Sequence, residues 1–142
     1  MEKLLTVAKE ILDLNPTAIL TGTLMLKLRG IDLGREPHDI DILLRDYATT
    51  IILPSSLYSH VENSTSSDES CSKFSYDDIN IDVMSYNEDF DIVDGYRLAK
   101  VENLLKVKCL YSKQDNINAK KHIDDIITIL YAGLCFNKVH FT

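Results

Sequence analysis

The sequence contains no tryptophan, few glycines and prolines, and only three cysteines among 142 residues. Five glycines and three prolines are too few for a low-complexity or collagen-like chain. The cysteines (Cys71, Cys109 and Cys135) are odd in number and lack Cys-x-x-Cys spacing, which disfavours a disulfide framework and a zinc ribbon. No apolar run reaches the length of a transmembrane helix, and the first residues do not resemble a signal peptide. We therefore expect a reduced, cytoplasmic protein without a membrane span.

Basic residues are also scarce, since 15 Lys and Arg oppose 22 Asp and Glu and give a formal net charge of −7. This balance disfavours generic nucleic-acid binding, because neutralising phosphates requires a basic surface. The charge is unevenly distributed: residues 1–95 have a net charge of −11 and residues 96–142 one of +4. Such a division suits a site with a cation-binding wall and a phosphate-binding wall, although two solvated faces of different charge would give the same numbers.

The apolar pattern predicts a single domain over residues 1–142, of the α/β or α+β class, with a mixed β-sheet covered by helices on one side. Helical spacing predicts four helices, at 2–14, 24–28, about 98–111 and 119–134. Alternation predicts strands at 17–20, 39–43 and 79–84, a further strand at 51–53, and a hairpin of 57–61 with 73–76. The polar stretch 63–72 is expected to be a loop, and the acidic stretch 88–94 an irregular connection.

Three aspartates lie on predicted strands, Asp39 and Asp41 on one strand and Asp82 on another. Side chains two residues apart on a strand point to the same face, and Asp82 points away from the face that Ile81 and Val83 share. If the two strands are neighbours, the three carboxylates converge. Such oxygen ligands suit Mg²⁺, and two metals held in this way can grip the attacking and leaving oxygens of a phosphoryl displacement. The structural alternative is a set of solvated acids on an open sheet face.

Two further features point to phosphate. Gly22 and Thr23 form a turn that offers backbone N–H groups and a hydroxyl, and Thr23 is expected to cap the short helix that follows. Lys108 lies on the otherwise apolar stripe Val101, Leu104 and Leu105 of the first closing helix. A lysine there either extends its ammonium group to solvent or points into a polar cleft, where it would contact a phosphate.

The remaining basic side chains near these elements are expected to be structural or solvated. Arg35 is four residues before Asp39, but an arginine in a loop is usually exposed to water. The sequence Lys120-Lys121-His122 is expected to form the exposed start of the last helix. His38 should point away from the face of Asp39, which excludes it as a ligand.

The string Leu20-Thr21-Gly22-Thr23, followed by a helix, by Asp39-Ile40-Asp41 and by a distant Asp82, resembles the signature of the polymerase-beta-type nucleotidyltransferase superfamily. The bacterial branch that includes the abortive-infection toxin nucleotidyltransferases is most similar, and the segments 104–108 and 121–126 resemble its helical tail. The resemblance covers about residues 17–130. Thr23 replaces the usual Gly or Ser, Pro37 stands where this branch often has Ser or Thr, and the large accessory domain of the toxins has no counterpart.

The resemblance implies transfer of a nucleoside monophosphate from a nucleoside triphosphate, such as ATP, to a hydroxyl of a protein, an RNA or a small molecule. It implies that Asp39 and Asp41 ligate two Mg²⁺ or Mn²⁺ ions that hold the triphosphate. Asp82 would help to bind the catalytic metal and favour deprotonation of the acceptor hydroxyl. Gly22 and Thr23 would position the triphosphate.

Two alternatives remain open at this point. One is a non-catalytic binding module of the same fold, such as a component of a toxin–antitoxin pair with a protein partner, which would suit the small size of the chain. The other is a glycosyltransferase-like Asp-x-Asp metal site, which would account for neither Gly22-Thr23 nor Asp82. Retention of all three carboxylates favours the enzyme, since a binding module has no need of them.

Overall fold

The computed structural model describes residues 1–45, 47–66, 69–86, 88–113 and 119–136. The helices are α1 (Glu2–Leu14), α2 (Gly22–Leu28), α3 (Val101–Ser112) and α4 (Ala119–Phe136), and Ala48–Thr50 form one 3-10 turn. The strands are β1 (Ala18–Thr21), β2 (Asp39–Leu44), β3 (Ser59–Ser66), β4 (Glu69–Tyr76), β5 (Ile79–Ser85), β6 (Phe90–Val93) and β7 (Tyr96–Ala99). No helix within the described ranges is long and apolar enough to cross a membrane.

The seven strands form one sheet in the order β3-β4-β5-β2-β1-β7-β6. The pairs β2 with β5 and β1 with β7 are parallel, and the other pairs are antiparallel. The mixed sheet and the two C-terminal helices confirm the predicted fold class. In this order β2 is the central strand, with β5 parallel to it on one side and β1 antiparallel to it on the other, so any side chain on β2 has a structured neighbour on both sides.

Along the central strands, side chains point alternately to the two faces of the sheet, and this alternation determines which of them enter the core. Leu20, Ile40, Ile42, Ile81 and Val83 are fully buried. The helices α1 and α2 pack against β1 and β2, and α1 buries one apolar stripe: Leu4, Val7, Ala8, Ile11 and Leu12. Each fully buried aliphatic side chain of this kind stabilises the fold by about 1.5–3 kcal/mol. A one-residue slip of β2 would turn its aspartates into this core, so packing specifies the register strongly.

Residues 51–53 are not a strand, and that prediction was wrong. The side chain of Asn15, at the end of α1, donates to the Ile52 carbonyl at 2.7 Å and accepts from the Ile52 N–H at 2.8 Å. One amide side chain thus satisfies both backbone groups that a partner strand would have paired. Asn15 is buried, so this contact anchors the segment to α1.

The hairpins extend further than the apolar pattern predicts. The polar stretch 63–72, predicted to be a loop, is mostly strand. The pairing of β3 with β4 continues from the pair of Asn63 and Ser72 to the pair of Ser66 and Glu69. Residues 88–94, expected to be irregular, contain β6, which pairs with β7 around the turn at Asp94 and Gly95. Antiparallel pairing satisfies backbone groups whatever the side chains are, so a polar sequence does not exclude a strand. Because Leu98 also pairs with Leu20, α3 begins later than predicted, at Val101.

Candidate functional site

The pairing of β2 with β5 brings the three aspartates to one face of the sheet. Asp41 is directly opposite Asp82 in the parallel register, and Asp39 is opposite Asn80, whose side-chain amide donates to it at 3.4 Å. On the other side of β2, Thr21 of β1 is opposite Asp41. The predicted convergence of the three strand positions is therefore present in the backbone, with Asp41 at its centre.

The Asp41 carboxyl has a strongly raised pKa. Burial, followed by the charges of Asp82 and Asp39, raises this pKa to about 7. The charges of Lys108 on α3 and Lys121 on α4 act against this shift without cancelling it. The negative sheet face and the positive C-terminal helices thus act on the same carboxyl, which favours either a proton or a cation beside Asp41.

Gly22 is in direct contact with Asp41. Its φ of 74° lies in the left-handed region, and a Cβ at this position would overlap Oδ2 of Asp41. Both the backbone conformation and the close approach therefore require glycine. Thr23 lies in the first turn of α2 and is half-buried, but Thr21 occupies the capping position, so the expectation that Thr23 caps the helix was wrong.

A metal site at this face would be incomplete without substrate. Among the described residues, no three His, Cys, Asp or Glu side chains form a cluster that could hold a metal ion by themselves. Mg²⁺ generally takes one or two carboxylates and completes its shell with substrate phosphates and water. Burial and the neighbouring carboxylates raise the pKa of Asp41, so a cation beside it would be stabilising, and the donor set fits an ion that arrives with a triphosphate better than a closed protein cage.

A second charged cluster lies at the junction of the C-terminal helices with the loop after α2. Asp125 on α4 accepts two hydrogen bonds from the Arg35 guanidinium, at 2.7 and 2.8 Å, and one from Lys108 Nζ at 2.8 Å. Asp125 is 2% exposed and Lys108 7% exposed. Burial alone would raise the pKa of the Asp125 carboxyl, but the hydrogen bonds from Arg35 and Lys108 outweigh it and keep the pKa below its usual value.

The structure corrects the expectation for Arg35 and decides between the two alternatives left open for Lys108. Arg35 is not simply solvated, because its guanidinium forms the bidentate pair with Asp125. Lys108 does not extend to solvent: it is buried, pairs with Asp125, and is close enough to Asp41 to lower that carboxyl's pKa. Lys108 therefore belongs to the buried ion cluster, and its charge also acts on Asp41.

Sequence reasoning missed Asp125 as the centre of this cluster. The available signal was its position on α4, since Asp125, Ile129 and Ala132 follow helical spacing and are all buried. An aspartate on a buried stripe requires a cationic partner. At the start of α4, Lys120 and Lys121 are exposed as expected, whereas His122 is half-buried, and burial followed by the charge of Lys108 lowers its pKa.

No protein-family model and no curated protein sequence matches the chain. Among solved structures, the crystal structure of JHP933 from Helicobacter pylori is similar, with a TM-score of 0.55 and 16% sequence identity. The superposition covers 98% of this chain and 67% of that chain. At this identity the likeness concerns the fold alone, and it extends over almost the whole length of the chain.

Proposed function

We propose that this protein is a metal-dependent nucleotidyltransferase, which moves a nucleoside monophosphate from a nucleoside triphosphate to a hydroxyl acceptor. The observation that carries the proposal is the in-register pairing of Asp41 with Asp82, beside Asp39 and against the Gly22 backbone. Like charges held close together destabilise one another, and a bound cation relieves that repulsion at a pH where the carboxyls are ionised. The proposal places the activity in the cytoplasm, where nucleoside triphosphates are available.

The residues divide into those for metal and those for phosphate. Asp39 and Asp41 would hold Mg²⁺ or Mn²⁺, which when bound would neutralise charge on the triphosphate. Asp82, opposite Asp41, would orient the acceptor hydroxyl and favour loss of its proton. Gly22 and Thr23 open α2 beside Asp41, where their backbone N–H groups and the Thr23 hydroxyl would position the triphosphate.

Lys108, on α3, would supply positive charge to the triphosphate beside Asp41. Its ammonium group is fixed by Asp125, so it does not have to be ordered when a triphosphate binds. Phosphoryl transfer is catalysed chiefly by positioning and charge stabilisation, which is the chemistry that fixed carboxylates and a fixed ammonium group can supply.

A labelling experiment tests the proposal. The protein is incubated with each labelled nucleoside triphosphate, Mg²⁺ or Mn²⁺, and cell lysate, and label is measured in protein, RNA and small-molecule fractions. We expect label with the wild type and at least a hundredfold loss in Asp41→Asn. Asp78→Asn is the matched control, because Asp78 is exposed in the turn between β4 and β5, at a positive φ that Asn tolerates. Equal labelling by both variants would contradict the proposed site.

The second candidate is a non-catalytic binding module with a protein partner, such as a toxin–antitoxin component. One observation favours it: α4 exposes apolar side chains along one face, namely Ile123, Ile127, Leu130 and Tyr131. Exposed apolar patches of this kind mark interaction surfaces in many proteins. If no nucleoside triphosphate yields label with either metal, the binding module becomes the better interpretation.

A further inference from the structure

A small cavity lies on the same face of the sheet as the carboxylates. Its volume is about 160 Å³, and its lining includes Ile19, Leu43, Arg45, Tyr86, Glu88 and Phe90, with Pro16 and Thr17 at one end of β1. Ile19 and Leu43 are cross-strand partners, two residues along from the pair formed by Thr21 and Asp41. Because side chains two residues apart share a face, the cavity floor lies about 7 Å along the strand from the Asp41 position. One nucleotide is long enough to span both places.

The residues that line the cavity suit a planar aromatic ring. Ile19 and Leu43 form a buried apolar floor, whereas the rings of Tyr86 and Phe90 are 54% and 42% exposed. Aromatic side chains left exposed beside a cavity are stacking surfaces for bases. The volume equals that of about five liquid water molecules, which suits one ring system.

Glu88 adds an unsatisfied acceptor to this cavity. Its Oε1 is buried and has no hydrogen-bond partner in the described part of the chain. Asn103 on α3 hydrogen-bonds to the same carboxyl group, which fixes the side chain. A buried acceptor without a partner costs free energy until a donor reaches it, and every nucleobase offers an N–H in the plane of its ring.

We propose that this cavity binds a nucleobase, with the ring against Tyr86 and Phe90 and an N–H group donating to Glu88. The inference rests on the proposed function, because it assumes phosphate chemistry at the neighbouring carboxylates. The base belongs either to the nucleoside triphosphate or to the terminal nucleotide of an RNA acceptor, and both present the same chemistry to the cavity.

Calorimetric titration isolates the contribution of the base. ATP, GTP, CTP, UTP and inorganic tripolyphosphate, which has no base, are titrated with Mg²⁺ into wild type, Phe90→Ala and Glu88→Gln. We expect Phe90→Ala to weaken binding of the nucleotides at least fivefold and to leave tripolyphosphate unchanged. Glu88→Gln should change the order of preference among the four nucleotides, because an amide both donates and accepts. The matched control is Ile92→Ala, which removes an exposed apolar side chain two residues from Phe90 and outside the cavity lining.

A short RNA in a parallel titration identifies the source of the base. A loss in Phe90→Ala confined to the nucleoside triphosphates assigns the cavity to the donor, and a loss confined to the RNA assigns it to the acceptor. If both ligands bind Phe90→Ala and Glu88→Gln as they bind wild type, the nucleobase inference is overturned while the proposed function stands. If the wild type binds neither ligand, both are overturned.

Discussion

Two clusters of charge lie close together in this protein and behave in opposite ways. At the sheet face, burial and the charges of Asp82 and Asp39 outweigh those of Lys108 and Lys121, and the pKa of Asp41 is raised to about 7. At the helix junction, Asp125 is held by Arg35 and Lys108, and its pKa is lowered. The charges around Asp41 add to the effect of burial on its pKa, whereas the partners of Asp125 outweigh that effect and compensate its charge. On the proposed function, this difference distinguishes a ligand-binding site from a cluster that stabilises the structure.

The compensated cluster also has a positional role. Asp125 connects the loop after α2, through Arg35, to α3 and α4, and it fixes Lys108 near Asp41. The sheet face is kept intact by the alternating core residues of β2 and β5, which do not depend on its charges. We therefore expect substitutions in the compensated cluster to act on stability and substitutions at the sheet face to act on ligand binding.

The largest effect is expected from Asp125→Ala. It leaves Lys108 buried without its carboxylate, and breaking a buried ion pair in this way costs about 3–5 kcal/mol. Urea unfolding at pH 7 measures the loss in the free energy of unfolding. The control is Asp124→Ala, the exposed neighbour on α4, which should stay within about 0.5 kcal/mol of wild type. Equal stabilities for the two variants would remove the distinction between the clusters.

The second effect is expected from Gly22→Ala, which disturbs the sheet face. Its Cβ would overlap Oδ2 of Asp41, in addition to a cost of about 1–2 kcal/mol for a left-handed alanine. Gly34→Ala is the matched control, since Gly34 has a similar φ of 79° and nothing within 4 Å of an added Cβ. We expect Gly22→Ala to be the less stable variant and to lose Mg²⁺-dependent nucleotide binding, which Gly34→Ala retains. Calorimetry of both variants would show whether Gly22 contributes more than its backbone conformation.

The two clusters also differ in how far the sequence predicts them. Asp39, Asp41 and Asp82 could be assigned to one face because the side-chain alternation of a strand is a local property. The cluster at Asp125 joins residues 35, 108 and 125, and no local pattern brings such distant positions together. Similarly, the pairing of Ile52 with the Asn15 side chain is a tertiary contact. The apolar composition of residues 51–53 does not reveal it and led to the wrong prediction of a strand. Strand β6 was missed because its pairing with β7 outweighs its acidic composition.

The third effect concerns Lys108, which is paired with Asp125 and whose charge lowers the pKa of Asp41. Lys108→Met keeps the apolar stem and removes the charge, while Asp125 retains its bidentate pair with Arg35. A charged hydrogen bond to phosphate is worth about 1.5–3 kcal/mol, so affinity for a nucleoside triphosphate should fall at least tenfold. Binding of Mg²⁺ alone should change little. If calorimetry shows unchanged nucleotide affinity together with lower stability, Lys108 belongs to the stabilising cluster alone.

The smallest effect on stability is expected from Asp41→Asn, which removes one charge from the sheet face and keeps its shape. Repulsion among the carboxylates, after screening by water and salt, costs on the order of 1 kcal/mol. Removing the charge should therefore raise the melting temperature in chelator at pH 8 by about 3 °C. Because the folded-state pKa of Asp41 is raised from its ordinary value to about 7, the folded protein binds more protons than the unfolded chain between these values. Wild-type stability should thus fall as pH rises from the ordinary pKa of an aspartate to about 7. The difference in melting temperature between Asp41→Asn and wild type should be smaller at pH 5 than at pH 8.

Mg²⁺ should reduce the difference in melting temperature between Asp41→Asn and wild type that is expected in chelator. At ten times its dissociation constant, a bound ion adds about 1.4 kcal/mol to the stability of the wild type, and Asp41→Asn should gain much less. The two melting temperatures should then converge or cross as Mg²⁺ is titrated at pH 8. Asp78→Asn, which changes an exposed aspartate, should follow the wild type at every Mg²⁺ concentration. A lower melting temperature for Asp41→Asn in chelator would mean that the Asp41 carboxylate makes structural hydrogen bonds, and the contrast with Asp125 would disappear.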